Sequence, residues 1–216
     1  MVILSYNISS RKSKNRRFLA GIGDVIRASR ADIACLQGVK QGSFIGFTGS
    51  QPVWLGERLG MEFVYHGRSG NLLLSKYTVT STYLHALADG GLLEASLSAP
   101  SGTLSVFCTR WSEDSAVRMK QAAETAEIVK FCPDARILCG DLVENETGSA
   151  VGRLIEETGL IDLPASAGCS LPTFPSSAPD VRRDYILGAG EFSVSEAWVI
   201  DSQIADHRPV AVRLGT

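Results

Sequence analysis

The sequence predicts a four-layer α/β sandwich, in which two packed and mainly antiparallel β-sheets are flanked by helices. Strand-like runs recur along the whole chain of 216 residues, whereas helical patterns occupy only three segments. Strand–helix–strand units at each end enclose a central run of strands without long helices. That order favours two packed sheets over a doubly wound parallel sheet. The length suits one domain over residues 1–216, and no linker interrupts it.

The predicted strands are short apolar or alternating runs bounded by turn residues. They fall at 2–8, 32–37, 62–66, 71–75, 78–86, 91–98, 103–110, 135–140, 183–187, 192–199 and 208–214. The stretch 163–181 is rich in Pro, Ser and Ala and is predicted to be a long loop, a feature that is often functional in a compact domain. No internal repeat is strong enough to assert.

Helix boundaries are marked by capping residues. The helical patterns cover roughly 16–30, 113–131 and 148–158. Ser13 or Asn15 is placed to cap the first helix, and Ser112 is the predicted N-cap of the second. Gly159 follows the third helix, where a glycine commonly ends a helix in the left-handed conformation.

Composition excludes several classes of function. With 21 Lys plus Arg against 23 Asp plus Glu, the formal net charge is −2, so any nucleic-acid contact must be local. The sequence has neither an 18-residue apolar run nor a signal-peptide pattern, and no membrane partner is expected. The five cysteines lack CxxC spacing and are interpreted as reduced and buried, which predicts a cytoplasmic protein. Oligomeric state is left open.

Polar residues at the ends of apolar strands are the candidates for chemistry. Asn7 ends the first strand, Asp141 follows a strand, and Asp184 opens one. Asp206 and His207 precede the last strand. A carboxylate at a strand end can be solvated and still held rigidly, which suits metal binding or water activation. Taken singly, each residue is more typical of a turn or a cap. Together, they predict one cleft.

Seven short motifs in order resemble the endonuclease/exonuclease/phosphatase superfamily, which has a DNase I-like fold. The motifs are LSYNI, ADIACLQGVK, GNLLLSKYTV, VFCTRW, RILCGDLVEN, TFPSSAPDVRRDYIL and ADHRPVAV. Arg118 and Gln121 also fit the Arg-x-x-Gln of that family's long helix. Each motif alone is weak, whereas seven in the right order along nearly the whole chain are a strong resemblance.

The resemblance implies metal-dependent hydrolysis of phosphoric esters, as in a phosphodiesterase, nuclease or phosphatase. In the family, carboxylates hold one or two Mg²⁺ ions that polarise the phosphate. Carried over motif by motif, Asp141 orients or deprotonates the attacking water, and His207, steadied by Asp184, donates to phosphate oxygens. Asn7 is then a catalytic, phosphate-binding residue, and Asp206 and Asp141 are the remaining metal ligands.

Three positions depart from the family's pattern. Gly38 stands where the metal-binding Glu is expected, Arg110 replaces a site His, and Val143 replaces a site Asn. Gly38 brings no ligand, and the charge of Arg110 repels a nearby cation. Arg110 is instead available to bind phosphate, or to pair with Asp141 or Asp206. We therefore expect Mg²⁺ to bind weakly or not at all, and catalysis to be weakened or lost.

Two alternatives stay open beside such a degenerate site. One is an active Mg²⁺-dependent phosphodiesterase or nuclease with a rearranged ligand set, for which Glu144 and Asn145 are nearby candidates. The other is a non-catalytic module that binds phosphate or nucleic acid through Arg110 and a basic loop. That loop carries Arg11, Lys12, Lys14, Arg16 and Arg17. Metal binding would separate the first alternative from the other two hypotheses.

The departures also predict how the site would be repaired. From the sequence alone, Gly38→Glu, Arg110→His and Val143→Asn together are expected to restore Mg²⁺-dependent cleavage of a generic phosphodiester. Gly38→Glu alone is expected to do less, because residues that act as a unit are non-additive.

Overall fold

Twelve strands and five helices form the chain in a computed structural model that describes residues 1–10, 15–41, 50–144 and 149–215. The strands are β1 (Val2–Asn7), β2 (Ile33–Gln37), β3 (Glu62–His66), β4 (Asn71–Ser75), β5 (Val79–Leu87), β6 (Gly90–Ala99), β7 (Gly102–Arg110), β8 (Ala135–Asp141), β9 (Ile161–Asp162), β10 (Asp184–Ala189), β11 (Ser193–Val199) and β12 (Val210–Gly215). The helices are α1 (Arg16–Ser29), α2 (Gln51–Leu59), α3 (Ser115–Val129), α4 (Ser149–Thr158) and α5 (Leu163–Ser166).

The strands form two six-stranded sheets, as predicted. One has the order β11-β12-β1-β2-β4-β3 and the other the order β5-β6-β7-β8-β10-β9. Each sheet contains a single parallel pair, β1 with β2 and β7 with β8, and all its other pairs are antiparallel. The sheets are therefore mainly antiparallel, and the predicted α/β sandwich is confirmed.

The two sheets repeat one order of elements, although no repeat is visible in the sequence. The succession β1-α1-β2-α2-β3-β4 in one sheet matches β7-α3-β8-α4-β9-β10 in the other. After each unit, the next hairpin (β5–β6 or β11–β12) joins the sheet of the other unit. The two parallel pairs occupy equivalent places in their sheets. The strands β1, β2, β7 and β8 therefore present their carboxyl ends to the same region of the molecule.

Three apolar clusters produce the four layers. Inward-facing side chains of both sheets form the middle cluster, such as Ile3 and Leu73 from one sheet and Val106 and Ile186 from the other. A second cluster packs the first sheet against α1 and α2, and a third packs the other sheet against α3 and α4. Alternate residues of each strand thus face the opposite sheet or a helix, which is the pattern expected of strands buried on both faces.

The cysteines have the environment that the sequence predicts. All five are free, and four of them are buried, Cys132 being half-buried. Burial raises the pKa of the Cys108 thiol well above its usual range, so this residue is unsuited to act as a nucleophile. Among the described residues, no helix is long and apolar enough to cross a membrane.

Three elements depart from the prediction, namely the helix α2, the two-residue strand β9 and the short helix α5. Helix α2 was not predicted, although Ser50 caps it through Val53 N–H and Gly60 ends it at φ +64°. Gly56 in its middle weakens the helical pattern in the sequence. The region predicted as one long loop contains the short helix α5 at its start, and within it Phe174 pairs with Val181.

Of the predicted helix caps, those at Asn15 and Gly159 are confirmed and the one at Ser112 is wrong. Asn15 caps α1, since its Oδ1 accepts from Phe18 N–H at 3.1 Å; Ser13 lies outside the described residues. Gly159 follows α4 at φ +66°, as predicted. The prediction for α3 was wrong, because Asp114, not Ser112, is its N-cap. A carboxylate there satisfies free N–H groups and also interacts favourably with the positive end of the helix.

The α3 cap can be tested by stability measurements. Asp114 Oδ1 accepts from two backbone N–H groups, those of Ala116 and Val117, each at 2.9 Å. We expect Asp114→Ala to lower the free energy of unfolding by about 1 kcal/mol in urea denaturation. The control is Ser112→Ala, since the Ser112 hydroxyl accepts from Asp114 N–H but from no N–H group of the helix. This variant should change the free energy of unfolding by less than about 0.5 kcal/mol. A larger loss for Ser112→Ala than for Asp114→Ala would contradict this assignment.

Candidate functional site

The centre of the site is a hydrogen bond between the two sheets. Asn7 ends β1 and Asp141 ends β8, and Asn7 Nδ2 donates to Asp141 Oδ2 at 2.8 Å. Asn7 Oδ1 accepts from Ser9 N–H at 2.8 Å, which fixes the orientation of the amide. Both side chains are fully buried. The sandwich thus brings together two strand ends that are 134 residues apart in sequence.

The predicted contact between His207 and Asp184 is confirmed. Asp184 opens β10 directly opposite Asp141, and its Oδ2 lies 2.8 Å from His207 Nδ1. The Thr173 hydroxyl donates to the same oxygen at 2.5 Å. This pairing places the imidazole proton on Nδ1, so that Nε2 faces the amide of Asn7 at 3.3 Å. Asn7, Asp141, Asp184 and His207 therefore form one connected network.

The charge of His207 is set by its neighbours. Burial by itself lowers the pKa of His207, but the carboxylates of Asp184 and Asp141 raise it, while Arg183 lowers it again. The net pKa is raised, because the carboxylates lie 2.8 and 3.9 Å from the ring nitrogens. His207 thus adds a positive charge to the cleft at low pH and loses it as pH rises through this raised value.

Arg183 is a site residue that sequence reasoning missed. Its Nε lies 3.3 Å and its Nη2 3.4 Å from the two oxygens of Asp141, and Nη2 also donates to Glu113 at 2.7 Å. The guanidinium stacks 4.8 Å from the ring of Phe174, and the side chain is only 10% exposed. The only signal in the sequence was a basic residue directly before Asp184.

Arg110 supplies a second positive charge to the same carboxylate. Arg110 is the register neighbour of Asp141 in the parallel pair β7/β8, and its Nε lies 3.4 Å from Asp141 Oδ2. Of the two partners that the sequence allowed, it thus contacts Asp141. Its side chain is 39% exposed, far more than that of Arg183. We conclude that Arg183 is a fixed counter-ion, whereas Arg110 is accessible to a ligand.

Position 38 is shaped for glycine. Gly38 has φ +71°, a left-handed conformation that side chains other than glycine rarely adopt. A Cβ there would lie 2.2 Å from Ser9 Oγ and 3.1 Å from Asn7 Oδ1. A carboxylate side chain at position 38 therefore requires the loop to move.

Asp141, Asp184 and His207 are the described residues whose ligand atoms lie close enough together to be considered for a divalent cation. One ligand atom each from Asp141, Asp184 and His207 lies within 4.8 Å of the others, and all three residues are buried. However, Asp184 and His207 are hydrogen-bonded to each other, and both Asp141 oxygens contact the guanidinium group of Arg183. Asp184 Oδ1 is a buried acceptor without a hydrogen-bond partner in the described part of the chain, but one oxygen does not make a site for a divalent ion. As arranged, these residues do not fit a metal ion.

Asp206 lies beside this cluster. It lines the same cavity as His207 and is half-buried. Its backbone N–H donates to Ser9 O at 3.0 Å, and its carbonyl accepts from Ser176 N–H at 2.8 Å. The cluster of close ligand atoms found among the described residues does not include Asp206. Its predicted role as a metal ligand stays a prediction.

The chain turns directly after Asp141 and the end of β8. Val143 has φ +63°, so it does not continue the strand, and its N–H lies 3.3 Å from Asp141 Oδ1. Its side chain packs against the apolar cluster under α3 and α4. Glu144 pairs with Arg118 at 2.8 Å and accepts from an N–H at the start of α4. Glu144 is thus already engaged, and Asn145 lies outside the described residues.

The family-type Arg–Gln pair of α3 positions the loop between β7 and α3. Arg118 donates to the carbonyls of Ser112 and Glu113, each at 2.9 Å. Gln121 accepts from Ser112 N–H at 2.7 Å and donates to Asp89 O at 3.0 Å. These bonds hold the loop that carries Glu113, the second partner of Arg183.

The network opens into a cavity of about 550 Å³. Its lining consists of Ser9, Ser10, Arg110, Glu113, Phe174, Pro175, Ser176, Ser177, Arg183, Asp206 and His207. Of the basic run, Arg16 and Arg17 are exposed at the start of α1, and Arg11, Lys12 and Lys14 lie outside the described residues. Hydroxyl groups and positive side chains, together with the carboxylates of Glu113 and Asp206, thus surround a space that suits a small polar ligand.

The chain is similar to proteins of one known family in both sequence and structure. The model of the endonuclease/exonuclease/phosphatase family matches residues 4–207. Among curated proteins, none matches this sequence. Among solved structures, an endonuclease/exonuclease/phosphatase from Beutenbergia cavernae is 21% identical with a TM-score of 0.80, covering 100% of this chain and 72% of its own.

Two further structures share the fold across the whole chain. A mannosyl-6-phosphatase from Bacteroides thetaiotaomicron is 15% identical with a TM-score of 0.78, and 100% of each chain is covered. The human Nocturnin catalytic domain with a bound sulfate anion is 16% identical with a TM-score of 0.76, covering 100% of this chain and 94% of its own. At these identities, the comparisons establish a common architecture.

The left-handed conformation of Val143 predicts an unusual stability effect. A left-handed conformation costs an L-residue roughly 1–2 kcal/mol, and asparagine tolerates it better than a β-branched residue. We expect Val143→Asn to be about 1 kcal/mol more stable to urea than Val143→Ala. Alanine is the matched control, since both variants lose the apolar contacts and only asparagine relieves the strain. Equal stability of the two variants would show that position 143 is not strained.

Proposed function

Because this chain belongs to the endonuclease/exonuclease/phosphatase family of phosphoric ester hydrolases, we propose that it binds a small phosphate ester without a metal ion and that its hydrolytic activity is weakened or lost. The observation that carries the proposal is the pairing of the Asp141 carboxylate with Arg183 and Arg110. In the family, a carboxylate in this motif works with a bound cation. Here, guanidinium groups occupy its surroundings.

The energetics of Asp141 favour the guanidinium groups over a cation from solution. Asp141 is fully buried, and a buried carboxylate must be paired. Mg²⁺ is dehydrated reluctantly and needs free oxygen ligands, whereas both Asp141 oxygens already contact Arg183. Separating a buried ion pair costs about 3–5 kcal/mol when one partner is left uncompensated. The missing carboxylate at Gly38 provides nothing to offset that cost.

The same residues leave groups that can bind a phosphate. Arg110 is accessible, and His207, when protonated, offers a positive ring edge in the same cavity. Charge-assisted hydrogen bonds to phosphate are roughly twice as strong as neutral ones. The sulfate anion in the Nocturnin structure supports the idea that this fold accepts a tetrahedral oxyanion. A net charge of −2 favours a small ester over an extended nucleic acid.

Hydrolysis is a second candidate function, and the intact His207–Asp184 pair is the observation that favours it. Such a pair can hold a proton for transfer to an ester oxygen. Asp141 is the residue that would accept a proton from water, but its oxygens already contact the guanidinium groups of Arg183 and Arg110. We therefore propose that any turnover is slow, and that an active enzyme would require a rearranged ligand set.

Binding measurements test the proposed function. In isothermal titration with chelator present, phenyl phosphate should bind, and Arg110→Ala should weaken that binding about tenfold or more. Arg153→Ala is the control, because this exposed arginine pairs with Glu157 on α4 and should leave the affinity unchanged. Mg²⁺ alone should show no saturable binding. Tight stoichiometric Mg²⁺ binding that Asp206→Ala abolishes would overturn the proposal and favour an active metal enzyme.

The structure revises the repair expected from the sequence. We now expect Gly38→Glu, Arg110→His and Val143→Asn together to leave bis(p-nitrophenyl) phosphate uncleaved in Mg²⁺. A side chain at position 38 meets Ser9 Oγ, and Arg183 remains on Asp141. Adding Ser9→Gly and Arg183→Leu removes both obstacles and should give the first chelator-sensitive turnover in the series. Circular dichroism of each variant confirms folding, and robust turnover by the triple variant would show that Arg183 is not an obstacle.

A further inference from the structure

We propose that the cleft contains a second anion subsite beside the first and therefore selects small ligands with two phosphate groups. This inference rests on the proposed function, since the first phosphate occupies the cavity next to His207. The second subsite is the adjoining cavity between the loop after β2 and the turn that joins β3 to β4. It is defined here by Lys40, Arg68 and Arg110 and is called the distal subsite.

The distal subsite is continuous with the first cavity. It has a volume of about 650 Å³, and Ser9 and Arg110 line both spaces. Arg110 is the accessible guanidinium at their junction, with 39% of its side chain exposed. One ligand can therefore contact Arg110 while its ends occupy the two cavities.

The charges of the distal subsite point to an anion. Lys40, Arg68 and Arg110 contribute three positive charges, and none of the described residues that line this cavity is Asp or Glu. The first cavity balances its positive groups with Glu113 and Asp206. A cleft lined by one sign of charge concentrates ions of the opposite sign. The distal subsite is thus the more strongly attractive of the two for a phosphate.

The third cavity of this region provides a comparison. It has a volume of about 510 Å³ and also contacts Arg68 and Arg110. However, Asp89 and Glu113 line it as well, so its charges are balanced. The second phosphate is therefore assigned to the distal subsite and not to this cavity.

The walls of the distal subsite are tied together. Val39 N–H donates to Gly70 O at 2.9 Å, which joins the loop after β2 to the β3–β4 turn. Tyr65 Oη donates to Val39 O at 3.2 Å, and Lys40 N–H donates to the buried Gln51 side chain at 2.7 Å. Two positive side chains are thus presented from a braced backbone, which lowers the entropic cost of binding an anion.

Two of the departures from the family's pattern, Gly38 and Arg110, line this subsite and affect its charge. Gly38 lines the distal subsite, so the expected Glu would have placed a negative charge there. Arg110 contributes a positive charge where the family's motif has His. Both changes alter the charge of the space in the same direction, from one suited to a cation to one suited to an anion. The predicted ligand class is a small organic bisphosphate.

The experiment compares one phosphate with two. In chelator, phenyl phosphate and a series of α,ω-alkanediol bisphosphates are titrated into the full chain. At least one bisphosphate should bind about tenfold more tightly than phenyl phosphate, because a second charge-assisted contact is added. Lys40→Ala/Arg68→Ala should lose that gain and keep the affinity for phenyl phosphate. Both residues are exposed, so the double variant should fold normally.

A matched variant separates the subsite from general electrostatics. Lys76→Ala/Arg153→Ala removes the same charge from residues in exposed ion pairs, with Asp32 and Glu157 respectively, and should retain the full gain. If neither ligand binds, the proposed function fails. If phenyl phosphate binds but no bisphosphate binds more tightly, the distal subsite alone fails. Equal weakening of bisphosphate binding by the two double variants would also overturn the distal subsite. Oligonucleotides are titrated in the same way, and an affinity that continues to rise with their length beyond two phosphates would overturn it as well.

Discussion

The buried carboxylate of Asp141 is the constraint on which the rest of the cleft depends. It has no exposure to solvent, so its charge must be compensated inside the protein. Asn7 donates to one oxygen at 2.8 Å, Arg183 spans both oxygens, and Arg110 lies 3.4 Å away. A metal ion and a guanidinium group are alternative answers to the same requirement. In this structure, the guanidinium groups of Arg183 and Arg110 meet that requirement.

In the proposed function, fixed guanidinium groups take the place of a metal ion, and this limits what the site can do. A divalent ion polarises a phosphate and generates a nucleophile from water, and a guanidinium does only part of the former. It does retain the attraction for phosphate oxygens. We therefore regard three residues as one unit. Gly38 lacks the carboxylate that would bind a metal ion, and Arg110 and Arg183 supply positive charge beside Asp141 instead. Binding of a phosphate survives this exchange more readily than its cleavage.

The sequence predicted the sandwich and the four-residue network because both depend on local patterns in a fixed order. Alternating apolar residues define each strand, and the polar residue at each strand end identifies the cleft. Arg183 was missed because its role comes from contacts with Asp141 and Glu113, which are 42 and 70 residues away. The obstruction at Gly38 likewise depends on Ser9, and the turn at Val143 on how the chain leaves Asp141. These contacts exist only after the sheets have packed.

The repeated order of elements explains why the site can change while the fold does not. Asn7 and Arg110 end equivalent strands, β1 and β7, and Asp141 ends β8, the equivalent of β2. These strand ends are brought together by the packing of strand interiors, where Leu4, Val106 and similar residues are fully buried or nearly so. Substitutions at the strand ends leave that packing intact, so we expect them to act through charge and ligand binding. A change at one end alters the electrostatic surroundings of the others, because Asn7 Nδ2 lies 2.8 Å and Arg110 Nε 3.4 Å from the Asp141 carboxylate.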